Sequence, residues 1–249
     1  MSWFEALTLA VLQGLTEFLP VSSSGHLAVV ASLFGSVGDV EDRPDGLFFF
    51  VMLHLGTLAA ILLFYRRVIR SGVRGLISGG GLGETPNRAI VIRSGLLAVI
   101  ATLPAVVVGL TLKKSVDEAF QNLLVPGFAF LITALLLMAT TRMGAGVKGP
   151  GETTWRDALL VGLAQACAIT PGISRSGSTI AAALALGFSR TWAVGFSLLM
   201  AVPAILGAAV LEVKDLDGAS LSPNVLRMTL AATILSGVVG YGAIVWLVR

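Results

Sequence analysis

The sequence predicts an all-α integral membrane protein, built as an inverted-topology repeat with two re-entrant helical hairpins and five to six transmembrane helices. Three observations predict it. Apolar residues make up 55% of the 249 residues and charged residues only 12%, about half the charge a soluble domain carries on its surface. Several apolar runs reach roughly 18 to 20 residues, the length that crosses about 30 Å of hydrocarbon. Two further apolar regions are interrupted by proline and clustered polar residues, and the two interruptions resemble each other.

Five uniformly apolar segments are expected to span: Leu47 to Phe64, Ser94 to Leu112, Leu123 to Thr141, Ala193 to Leu211 and Leu226 to Val248. Pro104 and Pro203 lie inside two of them, where membrane helices tolerate proline as a kink. The interrupted regions are Trp3 to Phe34, broken near Pro20, and Ala158 to Leu186, broken near Pro171. Their pieces are too short to span alone, so each reads as a broken helix or a hairpin that returns to the side it entered. The N-terminus has no basic flank and no cleavage site before its apolar run, so no removed targeting segment is expected.

Loop charge orients the scheme. Arg66, Arg67, Arg70, Arg74, Arg88 and Arg93 face Glu84 alone in one loop, and Arg142, Lys148 and Arg156 lie in another. Arg249 ends the chain. The positive-inside rule puts these in the cytoplasm. The segments around Asp39, Glu41, Asp42 and Asp45, and around Glu212, Asp215 and Asp217, fall outside. Lys113 and Lys114 are a mild exception, offset by Asp117 and Glu118. The scheme closes if the first hairpin dips from outside and the second from inside. The two breaks also align: Gln13 with Gln165, Ser22 with Ser174, Ser24 with Ser176 and Gly25 with Gly177, at one constant offset. The chain is therefore read as a single membrane domain over residues 1–249, with a first repeat at about 1–142 and a second at about 157–249.

The chemistry is expected at the breaks. Gln13 and Glu17, four apart, share a helix face. Pro20 ends that helix. Ser22 or Ser23 can cap the next, whose first turn holds Gly25 and His26; the free N–H groups at such an end favour an anion. A carboxylate and a histidine inside an apolar region are expensive, which makes function the default reading over a polar cap at the interface. The second break holds Pro171, Gly172, Ser174, Arg175, Ser176, Ser178 and Thr179. An arginine fork among hydroxyls suits phosphate oxygens, although a lone membrane-edge arginine also reads as a headgroup contact. Carboxylate, hydroxyls, histidine and arginine at two facing breaks together point to phosphoryl transfer.

Other features are weaker. His54 in VMLHLGTLAA reads as a packing or hydrogen-bonding residue rather than a ligand. Cys167 reads as a small packing residue and has no second cysteine to pair with. Gly79, Gly80 and Gly81 lack the Gly-Lys-Ser/Thr of a phosphate loop. Gly237, Gly240 and Gly242 favour close helix packing.

LQGLTEFLPVSSSGHL, at Leu12 to Leu27, together with PGISRSGSTI, at Pro171 to Ile180, resembles the undecaprenyl-pyrophosphate phosphatase family of the bacitracin-resistance type. The resemblance implies two interlocked inverted repeats and a divalent-cation-assisted reaction that releases inorganic phosphate. It places the family's first motif on Gln13, Glu17, Ser22, Ser23 and His26, and its arginine on Arg175 between Ser174 and Ser176. The chain departs from many members in having Gln13 rather than glutamate, so a metal would rest more on Glu17. Members also continue into one more apolar segment after the region matching Tyr241 to Arg249, so a short or trimmed chain is expected. The expected scheme has Glu17 and Gln13 holding Mg²⁺ or Ca²⁺, and Arg175 holding the diphosphate. Ser22, Ser24, Ser174, Ser176, Ser178 and Thr179 bind around it, Ser23 is the nucleophile or binds while water attacks, and His26 is the general base or acid. The expected substrate is undecaprenyl diphosphate, hydrolysed at the outer face of the cell membrane to recycle the cell-wall lipid carrier. A transporter or flippase using the same site is the alternative. The expected partners are the polyprenyl diphosphate and the bilayer, with a homodimer left open and no nucleic acid.

Overall fold

The computed structural model describes residues 1–34, 44–67, 69–70, 88–144, 146–214 and 222–248. The acidic residues Asp39, Glu41, Asp42, Asp215 and Asp217 lie outside them, as do Arg74, Glu84, Gly79, Gly80, Gly81 and Arg249. Among the described residues the named elements are all helices: α1 (Trp3–Thr16), α2 (Ser23–Leu33), α3 (Pro44–Phe64), α4 (Arg88–Thr111), α5 (Lys113–Gln121), α6 (Leu124–Arg142), α7 (Trp155–Cys167), α8 (Arg175–Ala185), α9 (Arg190–Lys214) and α10 (Pro223–Val248).

Four of these are long and apolar enough to cross a membrane: the segments Ala89–Thr111, Leu124–Arg142, Arg190–Val210 and Pro223–Val248. The fifth expected span coincides with α3, whose described apolar part, Phe48–Phe64, is shorter. Aliphatic side chains of α4, α6 and α10, such as Leu103, Val107, Leu131, Leu135, Ile234 and Val238, stay exposed. An exposed apolar belt of this kind is what a helix bundle presents to lipid.

The two broken regions fold as paired short helices, α1–α2 and α7–α8. Each first helix starts with a capping box, Ser2 with Glu5 and Thr154 with Asp157. Each pair begins and ends at one end of the bundle. The ring of Phe4 stands edge-on to Phe34, 6.0 Å away. Lys148, ahead of α7, exchanges backbone bonds with Gly187 and Ser189, just past α8. Lys148 also bonds Asp157 at 3.2 Å. Burial opposes ionisation of Asp157, but the Thr154 N–H and hydroxyl together with Lys148 outweigh it and hold the carboxyl below its ordinary range.

Packing places the two pairs at opposite ends. The first half of α3 (Phe49, Leu53) shares a buried cluster with Ala6 and Leu9 of α1, Leu27 of α2 and Met228 of α10. Its second half (Leu58, Ile61) joins Leu198 and Ala201 of α9 instead. The start of α9 in turn packs with α4, α7 and α8 through Leu97, Ala98, Val161, Ala183 and Phe196. So α1 lies on α10 and α7 lies on α4, each crossing to the far part of the chain. Both crossings are tight. A Cβ on Gly14 would sit 2.7 Å from the Ser236 carbonyl oxygen, and one on Gly162 only 2.3 Å from that of Ala101. Small residues at such crossings let helix backbones approach where the bilayer supplies no hydrophobic drive. Arg93 ties the start of α4 to the carbonyls of Gly151 and Thr153 before α7, at 2.5 and 2.6 Å.

Gly162→Ala is expected to lower stability by about 1–3 kcal/mol, because the added methyl meets rigid backbone. Gly95→Ala, in α4 with nothing within 4 Å of the new carbon, should be neutral or stabilising by up to about 1 kcal/mol. Thermal unfolding of both variants in detergent checks the contrast.

Candidate active site

The two breaks meet. Ser176 at the start of α8 donates through Oγ to the Leu19 carbonyl at 3.0 Å. A Cβ on Gly25 would lie 2.7 Å from the Cα of Gly172, and Gly172 itself has φ +95° with the Pro126 carbonyl 2.5 Å from a would-be Cβ. Only glycine satisfies both the left-handed backbone and the contact there. Thr133 of α6 braces the second break: its Oγ donates to the Gly172 carbonyl at 2.8 Å and accepts from the Ser174 N–H at 2.9 Å.

Each break ends in a serine cap. Ser22 Oγ accepts from Gly25 N–H and Ser174 Oγ accepts from Gly177 N–H, at the positions the sequence alignment pairs. Ser22 holds φ +67°, a left-handed conformation that costs a serine about 1–3 kcal/mol and persists only when its surroundings impose it. The first turns of α2 and α8 therefore come together at one place. There lies a cavity of about 40 Å³ lined by Thr16, Glu17, Ser22, Ser23, Ser24, Ala168, Ile173, Ser174, Arg175 and Ser176. Two helix N-termini with a guanidinium form a strongly anion-attracting site.

Glu17 is the centre of the polar network. Its Oε1 takes a 2.5 Å bond from Arg175 Nη2. Its Oε2 accepts from Ser23 Oγ at 2.7 Å and from Gln13 Nε2 at 2.9 Å. Arg175 also reaches the Ser197 carbonyl of α9 at 3.4 Å. Gln13 is fully buried, and its Oε1 has no hydrogen-bond partner among the described residues.

Of the residues singled out from sequence, Gln13, Glu17, Ser22, Ser23, Ser24, Ser174, Arg175 and Ser176 share this site. The other three lie off the cavity wall. His26 stacks its ring edge-on to Phe130 of α6, 4.8 Å between centroids, and donates from Nδ1 to the Ser22 carbonyl. Thr179 bonds Ser197 Oγ at 2.7 Å. Ser178 is buried with its hydroxyl unpartnered among the described residues. Thr133 and Ser197 were missed: both are single hydroxyls on apolar helices and carry no pattern. His54, read as a packing or hydrogen-bonding residue, donates from Nδ1 to the Phe50 carbonyl at 2.8 Å and stands with Nε2 3.9 Å from Glu17 Oε2.

A divalent cation fits these residues on one count: an orphaned, buried amide oxygen beside a carboxylate is a hard-cation donor pair. Among the described residues no three His, Cys, Asp or Glu side chains cluster to hold a metal, so the Gln13 oxygen matters to any such site.

Comparison with known proteins agrees with the two motifs. The family model described as bacitracin resistance protein BacA matches residues 6–249. An undecaprenyl-diphosphatase of Alkaliphilus metalliredigens is 41% identical over 96% of this chain and 87% of its own length. Those of Nocardioides sp. and Alcanivorax borkumensis are 39% and 40% identical over all of this chain, covering 88% and 90% of their own lengths. With both motifs meeting at one site and the match running nearly end to end, the chain belongs to the BacA family of bacitracin resistance proteins.

Proposed function

We propose that the chain is a membrane phosphatase that hydrolyses undecaprenyl diphosphate to undecaprenyl phosphate and inorganic phosphate. The observation that carries this reading is the convergence of Arg175, Ser23 and two helix N-termini on Glu17 in one cavity. The cavity has room for a few waters, each needing about 10–15 Å³ of such space, and within it Arg175 is engaged by Glu17. Arg175 therefore exchanges Glu17 for phosphate oxygens as the lipid enters, and the site widens around it. Arg175 and the N–H groups of the two first turns then hold the diphosphate. Ser23 Oγ attacks the terminal phosphorus while Glu17, already its hydrogen-bond acceptor, orients the hydroxyl, and the proton passes to His26. The bond from the terminal phosphorus to the bridging oxygen breaks, undecaprenyl phosphate leaves, and water releases phosphate from Ser23. His26 is the general base or acid: its ring, now held by Ser22 and edge-on to Phe130 off the cavity wall, turns toward Ser23 once the lipid has entered. Gln13 and Glu17 would hold Mg²⁺ or Ca²⁺, which when bound supplies positive charge against the phosphates.

The same reading covers the architecture. The short pairs α1–α2 and α7–α8 are re-entrant hairpins in an inverted repeat. Supporting it are the opposite ends from which they enter, the reciprocal crossings of α1 on α10 and α7 on α4, and the aligned serine caps. The end that carries Arg93, Arg142 and Lys148 faces the cytoplasm of the cell membrane, and the site opens to the outer face.

Purified protein in detergent is expected to release phosphate from undecaprenyl diphosphate. Return of intact lipid only would favour a transporter. Arg175→Lys should lower kcat/KM by roughly 10- to 150-fold, since a charge-assisted bond contributes about 1.5–3 kcal/mol and lysine cannot fork. Near wild-type turnover would remove Arg175 from the phosphate site.

Glu17→Gln should abolish the response of activity to added Mg²⁺ or Ca²⁺, while Gln13→Glu keeps it. Metal titration of both variants, with folding checked by circular dichroism, decides this. For topology, Arg142→Cys in a Cys167→Ser background should react with an impermeant maleimide only after cells are permeabilised; labelling of intact cells would invert the orientation.

A further inference from the structure

His54 sits on α3, which packs against α1. Its Nε2 lies 3.9 Å from Glu17 Oε2, beyond hydrogen-bond reach. Its other ring nitrogen, Nδ1, donates to the Phe50 carbonyl at 2.8 Å. That bond fixes the tautomer with the Nε2 lone pair free, the arrangement in which metal-bound histidines are held: one ring N–H on a backbone carbonyl, the other nitrogen on the ion. Gln13 engages the same oxygen of Glu17. It donates Nε2 to Oε2, and its Oε1 is buried without a partner among the described residues. A half-turn of that amide, which exchanges its oxygen and nitrogen, would put the carbonyl oxygen on the ion.

We propose that His54 is a third ligand of the cation site, its single nitrogen donor beside the oxygens of Glu17 and Gln13. This rests on the reading above that a divalent cation binds at Glu17. Its consequence is a change of ion class. An all-oxygen site suits Mg²⁺ or Ca²⁺, whereas an imidazole draws first-row transition ions. A site of two oxygens and one nitrogen binds Mn²⁺ in preference to Mg²⁺. The His54 side chain is 34% exposed against 6% for Glu17, so the imidazole stands at the open edge. The remaining positions on the ion are left to water and to phosphate oxygens.

The test uses the full chain in detergent with Mn²⁺ alone, read by pulsed electron paramagnetic resonance for coupling to a bound imidazole nitrogen and by equilibrium dialysis for affinity. The chain has two histidines, so one control settles the source. Wild type and His26→Gln should both show the nitrogen coupling, and His54→Gln should lose it. Loss of even an outer-shell partner weakens metal binding roughly 10- to 100-fold, so His54→Gln should weaken Mn²⁺ by at least tenfold while Mg²⁺ affinity changes little. If His54→Gln does not fold, the wild-type and His26→Gln spectra decide alone. Mn²⁺ bound without nitrogen coupling, yet lost in Glu17→Gln, overturns the His54 assignment and leaves the cation site standing. Mn²⁺ that does not bind, or binds unchanged in Glu17→Gln, overturns the cation site and this inference with it.

Discussion

A carboxylate and a guanidinium buried together in an apolar bundle constrain everything around them. Taking either ion from water costs several kcal/mol, and removing one partner of such a pair typically costs about 3–5 kcal/mol because the other is left uncompensated. Glu17 and Arg175 meet at 2.5 Å with side chains only 6% and 18% exposed. They come from breaks more than 150 residues apart. The pair forms where the two breaks meet. Around it α1 lies on α10 and α7 on α4, with Gly14 and Gly162 at the crossings. The tips touch, which Gly25 and Gly172 permit.

The same constraint explains why the helices are broken. An unbroken helix has no free backbone donors at mid-depth, whereas a helix start has several. Two starts aimed at one cavity supply those donors without adding charged side chains to a membrane region. Ser22 and Ser174 satisfy part of each set, and the rest are open to an anion. Before a diphosphate arrives, Glu17 is the anion that Arg175 holds. In the proposed mechanism a diphosphate takes over Arg175 and frees Glu17, so that substrate binding and the freeing of Glu17 are one event.

Much of this was legible in the sequence because charge inside apolar runs stands out. Glu17 and Arg175, the prolines beside them and the aligned serines marked both breaks, and the expected helical segments are helices in the structure. The legible features are those where a residue is out of keeping with its own segment. Residues that act through the fold were not legible. Thr133 and Ser197 are ordinary hydroxyls on apolar helices, and such hydroxyls usually bond the preceding turn of their own helix. The hydrogen-bonding reading of His54 holds, at the Phe50 carbonyl, but its approach to Glu17 was not legible, because that residue lies on another helix, 37 positions away. His26 shows the reverse case: the motif put it beside Ser23, but its ring turns toward Phe130, a packing choice no local pattern records.

The alignment of the two breaks also explains why one site forms rather than two. At the offset that pairs Gln13 with Gln165, Glu17 falls on Ile169, His26 on Ser178 and Ser23 on Arg175. The second break keeps the buried glutamine, yet neither amide atom of Gln165 has a partner among the described residues, because the carboxylate that engages Gln13 is absent there. The first break keeps a serine where the second has its arginine. Neither break alone holds both a carboxylate and a cation, so neither could remain buried at low cost by itself. Brought tip to tip, they neutralise each other, and the shared cavity between them takes the Ser23 hydroxyl from one side and the Arg175 guanidinium from the other. The difference between the two breaks is therefore what makes their contact stable.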